Sequence, residues 1–240
     1  MSTKIASTHK GKKSASPRKR EVRRGRRKNR SLHVGIGVAV VVAVAIIALG
    51  VIFFLNNPSP GSSSTGTNQA GQYTFQVGSP GPGAQAPDIT LPSTDGSIFN
   101  LASMRGKTVL LYFQEGISCQ PCWDQLKDIQ SRSSDFRALK IDTIVSITTD
   151  PLDALKQKVA DQGITIPVLS DQSVAVSQAY SANSYGMMGA GQDGHSFILV
   201  GPDGLIKWRA DYGGAPKYTM YVPVSNLIAD IRAGLSGSTS

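Results

Sequence analysis

The sequence predicts an α/β domain, a mixed central sheet flanked by helices, placed after one N-terminal transmembrane helix. Three observations carry that expectation. An apolar run without a charge fills residues 34–55, near the start of the 240-residue chain. From residue 108 onward, short apolar runs alternate with segments of helical spacing. Two later apolar runs flank Gly201-Pro-Asp-Gly204, a strong turn signal, and a last helical segment follows them.

The first 33 residues hold thirteen Lys or Arg and a single acid, Glu21. The formal net charge of +9 is therefore a property of this tail, and the rest of the chain is mildly acidic. Apart from Ile5, Val22 and Leu32 the tail has no large apolar residue, so it cannot bury a core and is expected to be disordered. A basic arm of this kind can bind nucleic acid. The next segment gives a better reason for the charge. As a helix, residues 34–55 would rise about 33 Å at roughly 1.5 Å per residue, enough to cross a hydrocarbon core of about 30 Å. A secretory signal has a shorter apolar region, usually about 7–15 residues, followed by small residues at a cleavage site. Here the run ends in Phe53-Phe54-Leu55-Asn56-Asn57-Pro58, which favours a retained anchor.

Positive charge beside a membrane helix stays on the cytoplasmic side. The expected topology is thus N-terminus inside and everything after residue 55 outside, at a cell membrane crossed once. The membrane, with anionic headgroups at the basic tail, is the expected partner of this end, and nucleic acid is not. Residues 56–85 have the Ser, Gly, Pro, Thr, Asn and Gln composition of a linker and carry no charge. Tyr73, Phe75 and Val77 alternate within it and could add a short strand.

The domain is expected over residues 86–235. Residues 108–113 read as a strand buried on both faces, because the apolar run is unbroken. Residues 121–139 read as a helix, with Trp123, Leu126 and Ile129 at helical spacing. Residues 141–148 read as a second buried strand. Asp150-Pro151 opens a helix to residue 162, with Pro near the first position. A short strand at 167–170, a helix at 174–180, a hairpin at 197–208 and a closing helix at 224–231 complete the pattern.

The two cysteines of the protein are Cys119 and Cys122, in Cys119-Gln-Pro-Cys122, after a predicted buried strand and at the start of a predicted helix. Backbone N–H groups and the dipole at a helix N-terminus favour an anion. A thiol there is acidified, and the thiolate is the form that attacks a disulfide. Cys119 is therefore the expected nucleophile and Cys122, one turn further on, the resolving thiol. Two other uses of a Cys pair stay open at this point. A structural disulfide over so short a loop restrains the unfolded chain little. A zinc site needs about four ligands, and His195 is the one further His or Cys within the domain. The redox reading calls for no cofactor and no bound metal.

The sequence Ala86-Pro-Asp-Ile-Thr-Leu-Pro-Ser-Thr-Asp-Gly96, then Leu101-Ala-Ser-Met-Arg-Gly-Lys107, then Val109-Leu-Leu-Tyr-Phe113 and the Cys pair resembles the redoxin (AhpC/TSA) domains of the thioredoxin-like superfamily. It is similar to membrane-anchored thiol–disulfide oxidoreductases of the TlpA/ResA type. Ile166-Pro-Val-Leu-Ser-Asp171 adds a peroxiredoxin-like feature, and Phe197-Ile-Leu-Val with Pro202-Asp-Gly204 is common to both branches. The resemblance covers residues 86–232 and implies a thioredoxin-like fold. Peroxiredoxins share Pro-x-x-x-Thr-x-x-Cys and an Arg from a later strand. Here Tyr112, Gly116 and Gly194 occupy those positions. Groups that would polarise a peroxide are missing, which favours disulfide exchange over peroxidase chemistry. The partners then implied are client protein thiols or disulfides and a redox partner protein.

Copper-delivery proteins of the same superfamily use two Cys and a distant His. His195, Met187 and Met188 supply residue types for that third reading. Their Cys spacing is one residue wider, and their His lies further from the hairpin. Glu115, four residues before Cys119, is a candidate for proton transfer from Cys122. His195 stands where thioredoxin-like proteins usually carry a cis-proline. An imidazole there could stabilise a thiolate or shuttle a proton near neutral pH. A non-proline cis bond costs about 3 kcal/mol, so the bond before His195 is expected to be trans. The site residues expected from the sequence are Cys119, Cys122, His195 and Glu115.

Overall fold

The computed structural model describes residues 71–237. The basic tail at 1–33, the predicted membrane helix at 34–55 and the linker as far as residue 70 lie outside the described residues. Among the described residues, no helix is long and apolar enough to cross a membrane.

The centre of the fold is β3 (Val109–Phe113), preceded by a small antiparallel pair, β1 (Thr90–Pro92) and β2 (Ile98–Asn100). All five residues of β3 are buried, as the unbroken apolar run predicts. β4 (Thr143–Thr148) runs parallel to β3, with Val109 opposite Thr143, and β5 (Val168–Ser170) runs parallel to β4. On the other flank β6 (Ser196–Val200) is antiparallel to β3, and β7 (Ile206–Asp211) is antiparallel to β6. The sheet order is β5-β4-β3-β6-β7, a mixed sheet with β3 in the middle.

Alternation along β3 divides the core in two. Leu110 and Tyr112 face a cluster built with Trp123, Leu126 and Ile129 of α1 (Gln120–Ser131) and with Leu227, Ile228 and Ile231 of α5 (Val224–Gly237). Leu111 and Phe113 face the other cluster, built with Leu91 of β1, Phe99 of β2 and Tyr180. Both faces of the sheet are therefore covered, and this fixes the end of β3 and the start of α1 rigidly.

The segment 121–139, read as one helix, is two: α1, and α2 (Ser133–Ala138), which meet at Arg132. Arg132 leaves the helical region, with φ −108° and ψ 25°. Further on, α3 (Leu152–Gln162) starts after Pro151 and stops at Gly163, whose φ of +65° suits glycine. α4 (Ala175–Ala179) is a single short turn.

The described part of the linker segment, residues 71–85, lies on the domain. Gln76 exchanges backbone hydrogen bonds with Asp211 at 3.0 and 2.8 Å. Phe75 packs edge-on to Trp208 and Tyr212, with ring centroids 6.2 and 5.3 Å away. The Arg209 guanidinium donates to the carbonyl of Pro80 at 3.0 Å. A composition rich in Ser, Gly and Pro reports turns, while two aromatic rings are enough to anchor the segment they sit in.

Candidate active site

The strand–turn–helix unit that carries the cysteines is built locally. β3 ends at Phe113, and Gln114-Glu115-Gly116-Ile117 turns the chain into α1. Gly116 has φ +86°, and a Cβ there would stand 1.7 Å from Oδ2 of Asp150. That carboxylate accepts the N–H of Ile117 at 2.8 Å and the hydroxyl of Thr148 at 3.0 Å. The turn is thus held to the end of β4, and only glycine fits its tightest point.

Cys119 is the N-cap of α1, and Pro121 lies in the first turn, where a missing N–H costs nothing. Cys119 and Cys122 are joined in a disulfide, with their Cα atoms 5.4 Å apart. The Cys122 N–H points at Sγ of Cys119, 3.3 Å away. The sulfur of Cys119 thus sits at the helix N-terminus with one backbone N–H aimed at it, a placement that favours a thiolate. Cys119 is 6% exposed and Cys122 fully buried, so a partner reaches Cys119 first. Met220 forms a small buried cluster with the two cysteines. Trp123 is fully buried and donates its indole N–H to the carbonyl of Gly116 at 3.0 Å. It packs the turn, and its ring is not free for a client.

His195 lies next to this unit. Its Nδ1 is 3.2 Å from the hydroxyl of Tyr112, and the same hydroxyl is 3.3 Å from the carbonyl oxygen of Cys122. Tyr112 thus joins His195 to the cysteine helix, while its ring stacks on Phe197 at a centroid distance of 4.4 Å. The His195 ring is fully buried, and burial alone pushes its pKa down to about 3. In this oxidised state it is a neutral imidazole near pH 7, not a cation. Its backbone is also committed: the N–H donates to Tyr185 at 2.9 Å, and the carbonyl accepts from Tyr212 at 2.9 Å. The cis peptide bonds among the described residues are Ser79–Pro80 and Ala215–Pro216, and the bond before His195 is trans.

Glu115 is buried, and its carboxylate accepts the backbone N–H of Met187. It ties the turn before Cys119 to the glycine-rich loop of residues 186–194, and it makes no hydrogen bond to either cysteine. Met187 and Met188 are more than half exposed, whereas His195 is fully buried. Among the described residues, no group of three or more His, Cys, Asp or Glu is placed to hold a metal ion.

The structure brings Cys119, Cys122 and His195 into one neighbourhood and sets Glu115 at its edge. Sequence reasoning missed Tyr112 as the connecting residue, because a Tyr inside an apolar run reads as packing. It also missed Met220, which no local motif marks, and Asp193, an acid buried at the end of the loop that leads to His195.

A family model described as AhpC/TSA matches residues 82–209 of the chain. A protein of Mycobacterium tuberculosis with a provisional peroxiredoxin name is 35% identical over 130 residues, which cover 52% of this chain and 81% of that protein. The thiol–disulfide oxidoreductase ResA of Bacillus subtilis is 24% identical over 124 residues, covering 52% of this chain and 64% of that protein. Among solved structures, Enterococcus faecalis AhpC superposes with a TM-score of 0.55 at 15% identity, over 66% of this chain and 94% of that one. BcpB of Mycobacterium tuberculosis superposes with a TM-score of 0.52 at 18% identity, over 63% and 96% respectively. These structural likenesses speak for the fold, while the family match spans the sheet and the cysteine turn together. The chain belongs to the AhpC/TSA family and carries a redoxin domain of thioredoxin-like fold.

Proposed function

We propose that the chain is a membrane-anchored thiol–disulfide oxidoreductase whose domain works outside the cytoplasm on client proteins. The observation that carries this reading is the Cys119–Cys122 disulfide at the N-terminus of α1, with Cys119 as the N-cap. In the reducing direction the Cys119 thiolate attacks a client disulfide. An S–S bond forms between Cys119 and the client, and the other client sulfur leaves as a thiolate. Cys122, as its thiolate, then attacks Sγ of Cys119, releases the second client thiol and closes the Cys119–Cys122 disulfide. Two electrons pass to the client, and a redox partner protein restores the dithiol. The steps reverse for a client dithiol, and the relative reduction potentials set the direction.

The redoxin family also includes peroxidases, and the relative of provisional peroxiredoxin name makes that the second reading. Gly116 weighs against it. The position where peroxiredoxins carry Thr is closed here by Asp150 and has a backbone that favours glycine. Gly194 likewise has no room for a side chain, since a Cβ there would meet the Tyr185 carbonyl oxygen at 1.5 Å. Neither the hydroxyl nor the guanidinium that would polarise a peroxide can be supplied from these two positions. The full chain in detergent should reduce an insulin-type disulfide far faster than hydrogen peroxide. Rapid peroxide consumption that survives Cys122→Ser overturns the exchange reading in favour of peroxidase chemistry.

A further inference from the structure

The loop that runs into His195 closes on itself at a neck of two glycines. The Gly194 N–H donates to Ala182 at 3.0 Å and the His195 N–H to Tyr185 at 2.9 Å. At the neck a Cβ on Gly186 would stand 2.8 Å from both Gly194 Cα and Oε1 of Glu115. The loop therefore touches the turn before Cys119 at one end and continues into His195 at the other. Between them lies Asp193, which is 1% exposed, and neither of its carboxyl oxygens has a hydrogen-bond partner among the described residues.

The groups that face Asp193 make this placement unusual. Asp171, at the end of β5, is fully buried and well supplied with donors. It accepts the N–H and hydroxyl of Ser177 at 2.8 and 2.7 Å and the hydroxyl of Ser173 at 3.1 Å. Asp150, after β4, accepts from Ile117 and Thr148. Ser177 is the polar group of α4 turned toward Asp193, and its hydroxyl proton is already given to Asp171. Glu115 lies across the neck. On the far side of Tyr185, Arg209 is held by Asp211 at 2.8 and 3.0 Å. His195, two residues on, is neutral. Asp193 is thus a buried carboxyl near other acids, and the donor that bears on it, the Ser177 hydroxyl, is already engaged by Asp171.

We infer that Asp193 is a proton-operated latch: as a neutral acid it lets residues 186–194 stay docked, and its ionisation drives the loop out and unseats His195. It is a positioning residue, acting on the redox site through His195 and through the Glu115–Met187 contact. The inference rests on the reading of the Cys pair as the working site. An anion in that position has only the Ser177 hydroxyl, shared with Asp171, to replace water, and two further carboxylates oppose it. Burial, the largest cause, pushes the acid well above the usual carboxylate range; the Ser177 hydroxyl pulls the other way, and Asp171 and Asp150 add to the rise. The sign follows. The docked loop is favoured at low pH, where exposed and buried forms are both neutral. Docking weakens as pH rises above the ordinary Asp range, because only the released carboxyl ionises freely. Opening should therefore increase with pH and should stop doing so once the side chain cannot ionise.

Hydrogen exchange of the oxidised full-length protein in detergent, beside Asp193→Asn, reads the latch without needing any catalysis. The ratio of exchange rates, wild type over D193N, should rise at the amides of residues 186–195 as pH increases above the ordinary Asp range, by up to roughly tenfold per unit. The same ratio at β3 and β4 should stay flat. If it stays flat at the loop as well, the latch is wrong. Infrared spectra keep the test open where D193N fails to fold. Wild type at a pH where the loop is docked should show the C=O stretch of a buried protonated acid, lost as rising pH opens the loop. Absence of that band overturns the inference. Disulfide exchange measured on the same sample separates failure of the latch from failure of the exchange reading.

Discussion

At the scale of single residues, two thiols of one motif are expected to behave very differently. Cys119 is the N-cap and slightly exposed, while Cys122 is sealed beneath Met220 and the Tyr112 hydroxyl. In the single variants Cys122→Ser and Cys119→Ser, the remaining thiol should be alkylated quickly in the first and slowly in the second. The midpoint for Cys119 should lie below the model thiol value of about 8.5. Equal rates would remove the assignment of nucleophile and resolving thiol. His195 gives a second expectation. Its pKa falls from 6.5 when exposed to about 3 when folded, so the unfolded chain takes up a proton that the folded chain refuses. Stability from this residue is complete above pH 6.5 and is lost as pH falls toward 3. The slope reaches at most about 1.4 kcal/mol per pH unit. His195→Asn should flatten the acid limb of a denaturation series relative to wild type, and an unchanged limb would contradict full burial of the ring. Type and spacing marked Cys119, Cys122 and His195 as candidates, and the structure places the three in one neighbourhood. The neutrality of His195 was not, because burial is decided by Tyr112, Phe197 and Tyr212, which lie far away in sequence.

At the scale of elements, the decisive piece is the turn between β3 and α1. Gly116 sits at φ +86°, over the Asp150 carboxylate that holds the turn. Gly116→Ala should destabilise the protein by about 1–3 kcal/mol, from strain at a positive φ together with displacement of that carboxylate. It should also change the Cys119 alkylation rate, since the N–H aimed at Sγ moves with the turn. A variant as stable as wild type, by denaturant melt, would mean that the turn relaxes freely. The strands and helices from residue 108 onward were readable because their apolar runs are long or regularly spaced, and the Gly201-Pro-Asp-Gly204 hairpin carried its own turn chemistry. The three-residue strands β1 and β2 were not identified as strands, being too short for alternation to register. The break at Arg132 escaped because neither Gly nor Pro marks it. Residues 71–85 read as linker because their turn residues outnumber Tyr73 and Phe75, the two rings that pack on the first core.

At the scale of the whole molecule, the proposed membrane anchor falls outside the described residues and would tether a domain whose chemistry is local. The anchor's expectation rests on the charge-free run at 34–55 and the basic flank before it. Protease added to intact cells or spheroplasts should therefore cut the chain after residue 55 and release or digest the domain, while the basic tail stays protected. Protection of residues 86–235 until the membrane is lysed would reverse the topology. The family and fold were legible because the motif-bearing segments are contiguous in sequence. The preference for exchange over peroxide chemistry came from Gly116 and Gly194 in the sequence, and the structure adds that neither position has room for a side chain. The most direct measurement of the central claim is the turnover of the full chain, anchored in detergent, on an insulin-type disulfide beside hydrogen peroxide. Disulfide reduction well above the peroxide rate, abolished in both Cys119→Ser and Cys122→Ser, is the expected result. Peroxide turnover that exceeds disulfide turnover and persists in Cys122→Ser would contradict it.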